Sequence, residues 1–186
     1  MRRLAALLLP LLLQGCAGAL VAGGAAGATA ASERRSLGTL VEDQAIELRL
    51  MGRLAREPAL KGTRVSVTSV NRLVLLTGQV ATEAQRRRAE ALAAADPEVR
   101  RVHDALTLGP PASLQEVSRD SLITGRVKTA LLGAQGLGGV RVKVVTEQGV
   151  VYLLGVVRPA EARAAVATAR QVRGVRRVVD LLERRP

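Results

Sequence analysis

The sequence predicts an α+β fold: two tandem αββαβ modules, each a three-stranded mixed sheet packed under two helices. Three observations predict it. Similar blocks recur in the same order at an offset of 77 positions (Asp43 to Asp120) with one single-residue slip, the signature of a duplicated module. Within each block the apolar spacing passes from helical to alternating and back. Between the blocks, Gly109-Pro110-Pro111-Ala112-Ser113 has the composition of a linker.

The chain opens on Arg2 and Arg3, followed by Leu4–Leu13. That apolar run is about ten residues, half the roughly 20 needed to cross a bilayer. Charge followed by a short apolar run is the order of an export signal, residues 1–15. Cys16, the only cysteine, follows the small residue Gly15. Leu13-Gln14-Gly15-Cys16 resembles a bacterial lipobox, in which cleavage before the cysteine is followed by acylation of its thiol and new amino group. The alternative is an ordinary secretory signal with an incidental cysteine, although no second cysteine exists to give it a disulfide role. Ala17 rather than aspartate comes next, which under the inner-membrane retention rule directs a lipoprotein to the outer membrane. Residues 16–40 read as a lipidated N-terminus and Ala/Gly-rich flexible tether, or as a segment lying against the membrane through Leu20 and Val21.

Residues 41–109 are expected to form the first module, 110–118 a linker and 119–186 the second module. Asp43–Leu50 matches Asp120–Val127, Arg64–Val67 matches Arg141–Val144, and Val74–Val80 matches Val151–Val157. The offset then shortens by one, pairing Val99–Val102 with Val175–Val178. In the second module Ile123, Val127, Ala130 and Leu131 mark one helix face, with Asp120 or Ser121 expected to cap its start. Val140, Val142 and Val144 alternate with Arg141 and Lys143, as in a half-buried strand. Glu147-Gln148-Gly149 turns the chain into a second, antiparallel strand. Pro159 opens the next helix, Ala162, Val166 and Ala169 form its apolar stripe, and Gly174 is the expected C-cap before a last strand at Val175–Leu182. The first module repeats this, with a hairpin bounded by Gly62–Arg64 and Val70–Arg72 and a helix over Thr82–Ala95.

In the central strands, Val74, Leu76, Gly78 and Val80, or Val151, Leu153, Gly155 and Val157, are expected under the helices. Gly78 and Gly155 allow close backbone approach or a bulge. The opposite face is Leu73, Leu75, Thr77 and Gln79 in the first module. In the second it is Val150, Tyr152, Leu154 and Val156, apolar throughout. A sheet covered on one side normally shows polar residues on the other. That second face is therefore expected to be covered by the first module or by a partner protein.

The formal net charge is +12, and only Lys61, Lys128 and Lys143 among the 28 basic residues are lysines. Such a chain is drawn to anionic surfaces, although an arginine-rich genome composition would leave the same trace. Export argues against nucleic acid as a partner. So does the lack of aromatic stacking groups, since Tyr152 is the one aromatic among Phe, Trp and Tyr.

The block valine-x-leucine-x-glycine-x-valine, a helix, and then Gly174-Val175-Arg176-Arg177-Val178 resembles the BON domain of Gram-negative envelope proteins. Two copies behind a lipobox, with Arg35-Ser36-Leu37-Gly38-Thr39 and Asp120–Leu132, resemble the dual-BON outer-membrane lipoproteins tied to envelope integrity and cell division. That resemblance implies a non-enzymatic protein that is lipid-anchored at the outer membrane, faces the periplasm and needs no cofactor. It also implies that the second BON domain docks on anionic phospholipid, chiefly phosphatidylglycerol, through its first helix and neighbouring loop. The matching residues here are Ser121–Leu132 with Leu137; Leu122 stands where relatives carry a tryptophan, and Arg119 and Arg126 lie nearby. Leu122 lies off the apolar stripe and is free to insert, or is simply a lone exposed leucine. The alternative function is an interaction scaffold in which Val150, Tyr152, Leu154 and Val156 bind an envelope assembly or division partner.

No catalytic or metal-binding constellation is expected. His103 is the only histidine, read as a surface or edge residue, and its neighbour Asp104 points to the opposite strand face. No Cys/His cluster has metal-ligand spacing. The loop glycines Gly133, Gly136, Gly138 and Gly139 do not open a helix after a strand, as a phosphate-cradling loop would.

Overall fold

The computed structural model describes residues 37–185. The export signal, Cys16 and residues 16–36 of the tether lie outside the described residues. The first module comprises α1 (Leu37–Arg56), a short 3₁₀ turn (Pro58–Leu60), β1 (Arg64–Val70), β2 (Leu73–Val80), α2 (Glu83–Ala94) and β3 (Arg101–Leu108). The second comprises α3 (Leu114–Gly133), β4 (Lys143–Glu147), β5 (Val150–Val157), α4 (Pro159–Arg170) and β6 (Arg177–Arg184). Both follow the expected αββαβ order. In each sheet the hairpin is antiparallel and the last strand runs parallel to the central one, giving orders β1-β2-β3 and β4-β5-β6. The helix between the parallel strands is the crossover that such a pair requires.

Each module has its own core. Ile46, Leu50 and Leu54 of α1 and Ala89 and Ala93 of α2 pack on Val74, Leu76 and Val80. In the second module, Ile123, Val127 and Leu131 of α3 and Ala162, Ala165 and Ala169 of α4 pack on Val151, Leu153 and Val157. Alanines on α2 and α4 let those helices sit close to the sheets. Gly78 meets the need for close approach in β2: at φ +119° a Cβ there would lie 1.9 Å from the Arg64 carbonyl oxygen.

The two far sheet faces cover each other. Val70, Leu73 and Leu75 pack against Tyr152 and Leu154, and Val156 is also buried. The apolar second face is thus covered by the first module, and the surface that the scaffold reading required is not exposed. Polar groups in this interface are paired. Glu147 accepts from Arg64 Nη1 at 2.8 Å and from Gln79 Nε2 at 2.7 Å, while Gln79 Oε1 accepts from the Ala112 amide in the connection.

Several boundaries differ from expectation. The first turn of α1 occupies Leu37–Leu40, where the tether was expected, and α3 runs through residues 114–118, where the linker was expected. Neither Asp120 nor Ser121 caps α3. Ser113 does, in a reciprocal box with Glu116, and Asp120 is buried mid-helix. Its carboxylate instead accepts from the amides of Gln148 and Gly149 at 2.6 and 2.9 Å, closing the β4–β5 turn. Val140 and Val142 precede β4, which begins at Lys143. Gly174 is not a C-cap: α4 ends at Arg170 with Gln171 as its cap, and Gly174 lies beyond, at φ +99°. A Cβ at Gly174 would stand 3.1 Å from Ile123 Cγ1, so the turn approaches α3 closely.

Candidate functional site

Helix α3 is oriented by its buried stripe. Ile123, Val127 and Leu131 are 2%, 0% and 7% exposed, at i, i+4 and i+8. Leu122 falls away from that stripe and is 62% exposed. Arg119, Leu122 and Arg126 follow at i, i+3 and i+7, so they share a side of the helix, and both arginines are exposed. Ser121, Leu122, Gly125, Arg126, Thr129 and Ala130 line a shallow open depression of about 580 Å³. Small side chains and a bare glycine make that surface low, with Leu122 rising beside it. The surface thus sets one exposed apolar side chain between two exposed guanidinium groups.

Leu137 does not join this surface. It is 4% exposed and belongs to the second module's core. The loop after α3 folds back, with the Leu137 amide donating to the Ala134 carbonyl and the Val140 amide to the Leu137 carbonyl, and Leu137 closes the end of the core.

The turn after α4 is the part of this surface that sequence reasoning missed. Arg126 Nη1 donates to the Arg173 carbonyl at 3.4 Å. Arg170 and Arg173 are exposed on and beside that turn. The signal was present in the repeat, which sets Arg173 against Pro97 and Arg170 against Ala94.

The modules differ in charge compensation. In the first, Arg49 and Arg53 pair with Asp96, Arg72 with Glu42 and Glu98, Arg86 with Asp104, and Arg88 with Glu57. Arg49 holds the Asp96 carboxyl below the usual aspartate range. In the second module, Glu116 is engaged at the start of α3 and Asp120 is buried in the hairpin turn. Arg119 acts electrostatically on Glu116, whereas Arg126, Arg163, Arg170 and Arg173 show no ion pair within 4 Å among the described residues.

His103 lies on the edge strand β3, facing the inter-module interface, its ring edge-on to Tyr152 with centroids 6.1 Å apart. No described helix is long and apolar enough to cross a membrane, and no cluster of three or more metal-ligating groups occurs among the described residues.

Two αββαβ units joined face to face, with a basic helical surface on the second, define a tandem small-domain protein. The family model of the BON domain matches residues 42–110 and 119–186, and the chain belongs to that family. It is 34% identical over 172 residues to outer membrane lipoprotein DolP of Haemophilus influenzae, covering 92% of this chain and 89% of that protein. It is 37% identical over 149 residues to a 21 kDa hemolysin of Actinobacillus pleuropneumoniae (80% and 77% covered). It is 30% identical over 161 residues to osmotically-inducible protein Y of Escherichia coli (85% and 80% covered).

Proposed function

We propose that this chain is an outer-membrane lipoprotein, anchored through acylated Cys16 and facing the periplasm. In this reading its second BON module binds anionic phospholipid of the phosphatidylglycerol type and supports envelope integrity and cell division. The observation that carries the lipid reading is Leu122, 62% exposed on α3 between Arg119 and Arg126. The Haemophilus protein's description as an outer membrane lipoprotein, together with Leu13–Cys16 here, supports the compartment and the anchor. The mechanism is non-enzymatic. Guanidinium groups attract the anionic surface, and Leu122 enters the boundary between headgroups and acyl chains.

Two experiments test this reading. Cys16→Ala should abolish fatty-acid labelling of the full chain; labelling that survives would refute the lipobox. The mature chain (residues 16–186 with Cys16→Ala) should bind vesicles containing phosphatidylglycerol and bind neutral vesicles poorly. Binding should weaken with salt, because exposed charges are screened over about 8 Å at physiological ionic strength. Leu122→Asp should weaken binding severalfold without unfolding the protein, since the side chain lies off the core. Equal binding to neutral vesicles, or a folded Leu122→Asp variant that binds as well as the parent, would remove α3 as the lipid surface.

A further inference from the structure

The repeat provides a comparison of one corner of the fold within a single chain. The turns after α2 and α4 have the same backbone course. In the first module the Asp96 amide donates to the Ala93 carbonyl and the Val99 amide to the Asp96 carbonyl. In the second, the Val172 amide donates to Ala169 and the Val175 amide to Val172. The side chains differ. Asp96 is 1% exposed, and Arg49 Nε and Nη2 each donate to its carboxylate at 3.2 Å, with Arg53 Nη1 at 3.3 Å. That corner is closed by its own acid.

In the second module Arg126 occupies the place of Arg49, and Val172 the place of Asp96. Val172 packs against the core and offers no acceptor. Arg126 keeps a single 3.4 Å bond to the Arg173 carbonyl. Three further differences change the charge: Arg170 stands in place of Ala94 and Arg173 in place of Pro97, both exposed, while Ala130 stands in place of Arg53. A guanidinium group has five N–H donors and cannot lose its charge, so a corner that has lost its carboxylate and holds three arginines where the first module has two presents donors without a carboxylate to accept them. Their planar forks match the oxygens of a phosphate.

We propose that the corner formed by Arg126, Arg170 and Arg173 is a binding site for the phosphodiester of a membrane lipid headgroup, opened by the replacement that puts Val172 where the first module has Asp96. This rests on the lipid reading of α3 and names the part of the surface that holds the phosphate. Leu122 is one helical turn from Arg126, so a headgroup held at the corner leaves its acyl chains beside the exposed leucine.

The test returns the missing acid. Val172→Asp, in the mature chain with Cys16→Ala, should recreate the Arg49–Asp96 pair with Arg126 and close the corner. Flotation with phosphatidylglycerol vesicles should show binding reduced about tenfold or more, with no fall in thermal midpoint. Because Val172 is half-buried, a second variant guards against misfolding: Arg170→Ala with Arg173→Ala, both exposed, should reduce binding to a similar degree. Binding unchanged in the double variant, or in a folded Val172→Asp protein, overturns the corner site. Loss of binding in Leu122→Asp with none in either corner variant overturns the corner alone; loss in none of the three overturns the α3 reading as well. Millimolar inorganic phosphate should not displace the protein relative to chloride at equal ionic strength. Displacement would make a free phosphate the ligand and overturn the assignment to a lipid.

Discussion

Asp120 illustrates how a residue type can be legible while its partner is not. Aspartate before a run of helical spacing reads as a helix cap, because its carboxylate accepts from free amides. It does accept from free amides, but those of Gln148 and Gly149 at the β4–β5 turn. Asp43 does the same for Asn71 and Arg72, at 2.7 and 2.9 Å. Both turns hold their two central residues at positive φ, so their amides point away from the ladder and need an acceptor. Asp120→Ala should cost about 1–3 kcal/mol, the usual penalty for leaving buried donors unpaired, read as a lower denaturant midpoint. Asp120→Asn keeps one acceptor oxygen and should lose less. An Asp120→Ala midpoint equal to the parent's would show that water serves the turn as well.

Among the elements, periodicity recovered the order and the inward faces, and missed where some elements begin. The Ser113-x-x-Glu116 box at the start of α3 was readable, but the repeat drew attention to the better-matched Asp120 block. Leu114 is 87% exposed, so the first turn of α3 adds no apolar periodicity from which its start could be read. β4 begins at Lys143 and is shorter than β1, although Val140 and Val142 alternate correctly and Arg141 and Val142 still run close to Gly155 of β5. Alternation records which side chains share a face; it does not record whether a neighbouring strand is within hydrogen-bonding reach.

At the scale of the whole molecule, the joined sheet faces make the inter-module interface sensitive to acid. Burial is the main cause that lowers the His103 pKa from its ordinary 6.5; Arg101 and Arg177 push the same way and Asp104 opposes them. Facing it across the interface is Tyr152, whose own pKa is raised, chiefly by burial. A histidine whose folded pKa is depressed binds fewer protons in the folded chain than in the unfolded one below pH 6.5. Its contribution to stability is therefore intact above that value and is lost as the pH falls through the folded pKa. His103→Phe retains an aromatic ring against Tyr152 and removes the titration, so its stability should fall less steeply than the parent's on acidification below about pH 6.5. Parallel curves for the two proteins in thermal melts across that range would refute a role for His103.

The sequence by itself determined the duplication, the αββαβ order, the faces of the central strands that lie under the helices and the need to cover the second sheet's far face. These follow from local backbone geometry, in which a helix or strand sends side chains in fixed directions whatever lies nearby. Tertiary structure decided that the first module covers that face, that Leu137 faces inward while Leu122 faces out, and that Asp96 closes a corner which Val172 leaves open. Each of these depends on contacts between residues far apart in the chain, and pattern along one segment carries no information about which distant segment will lie against it.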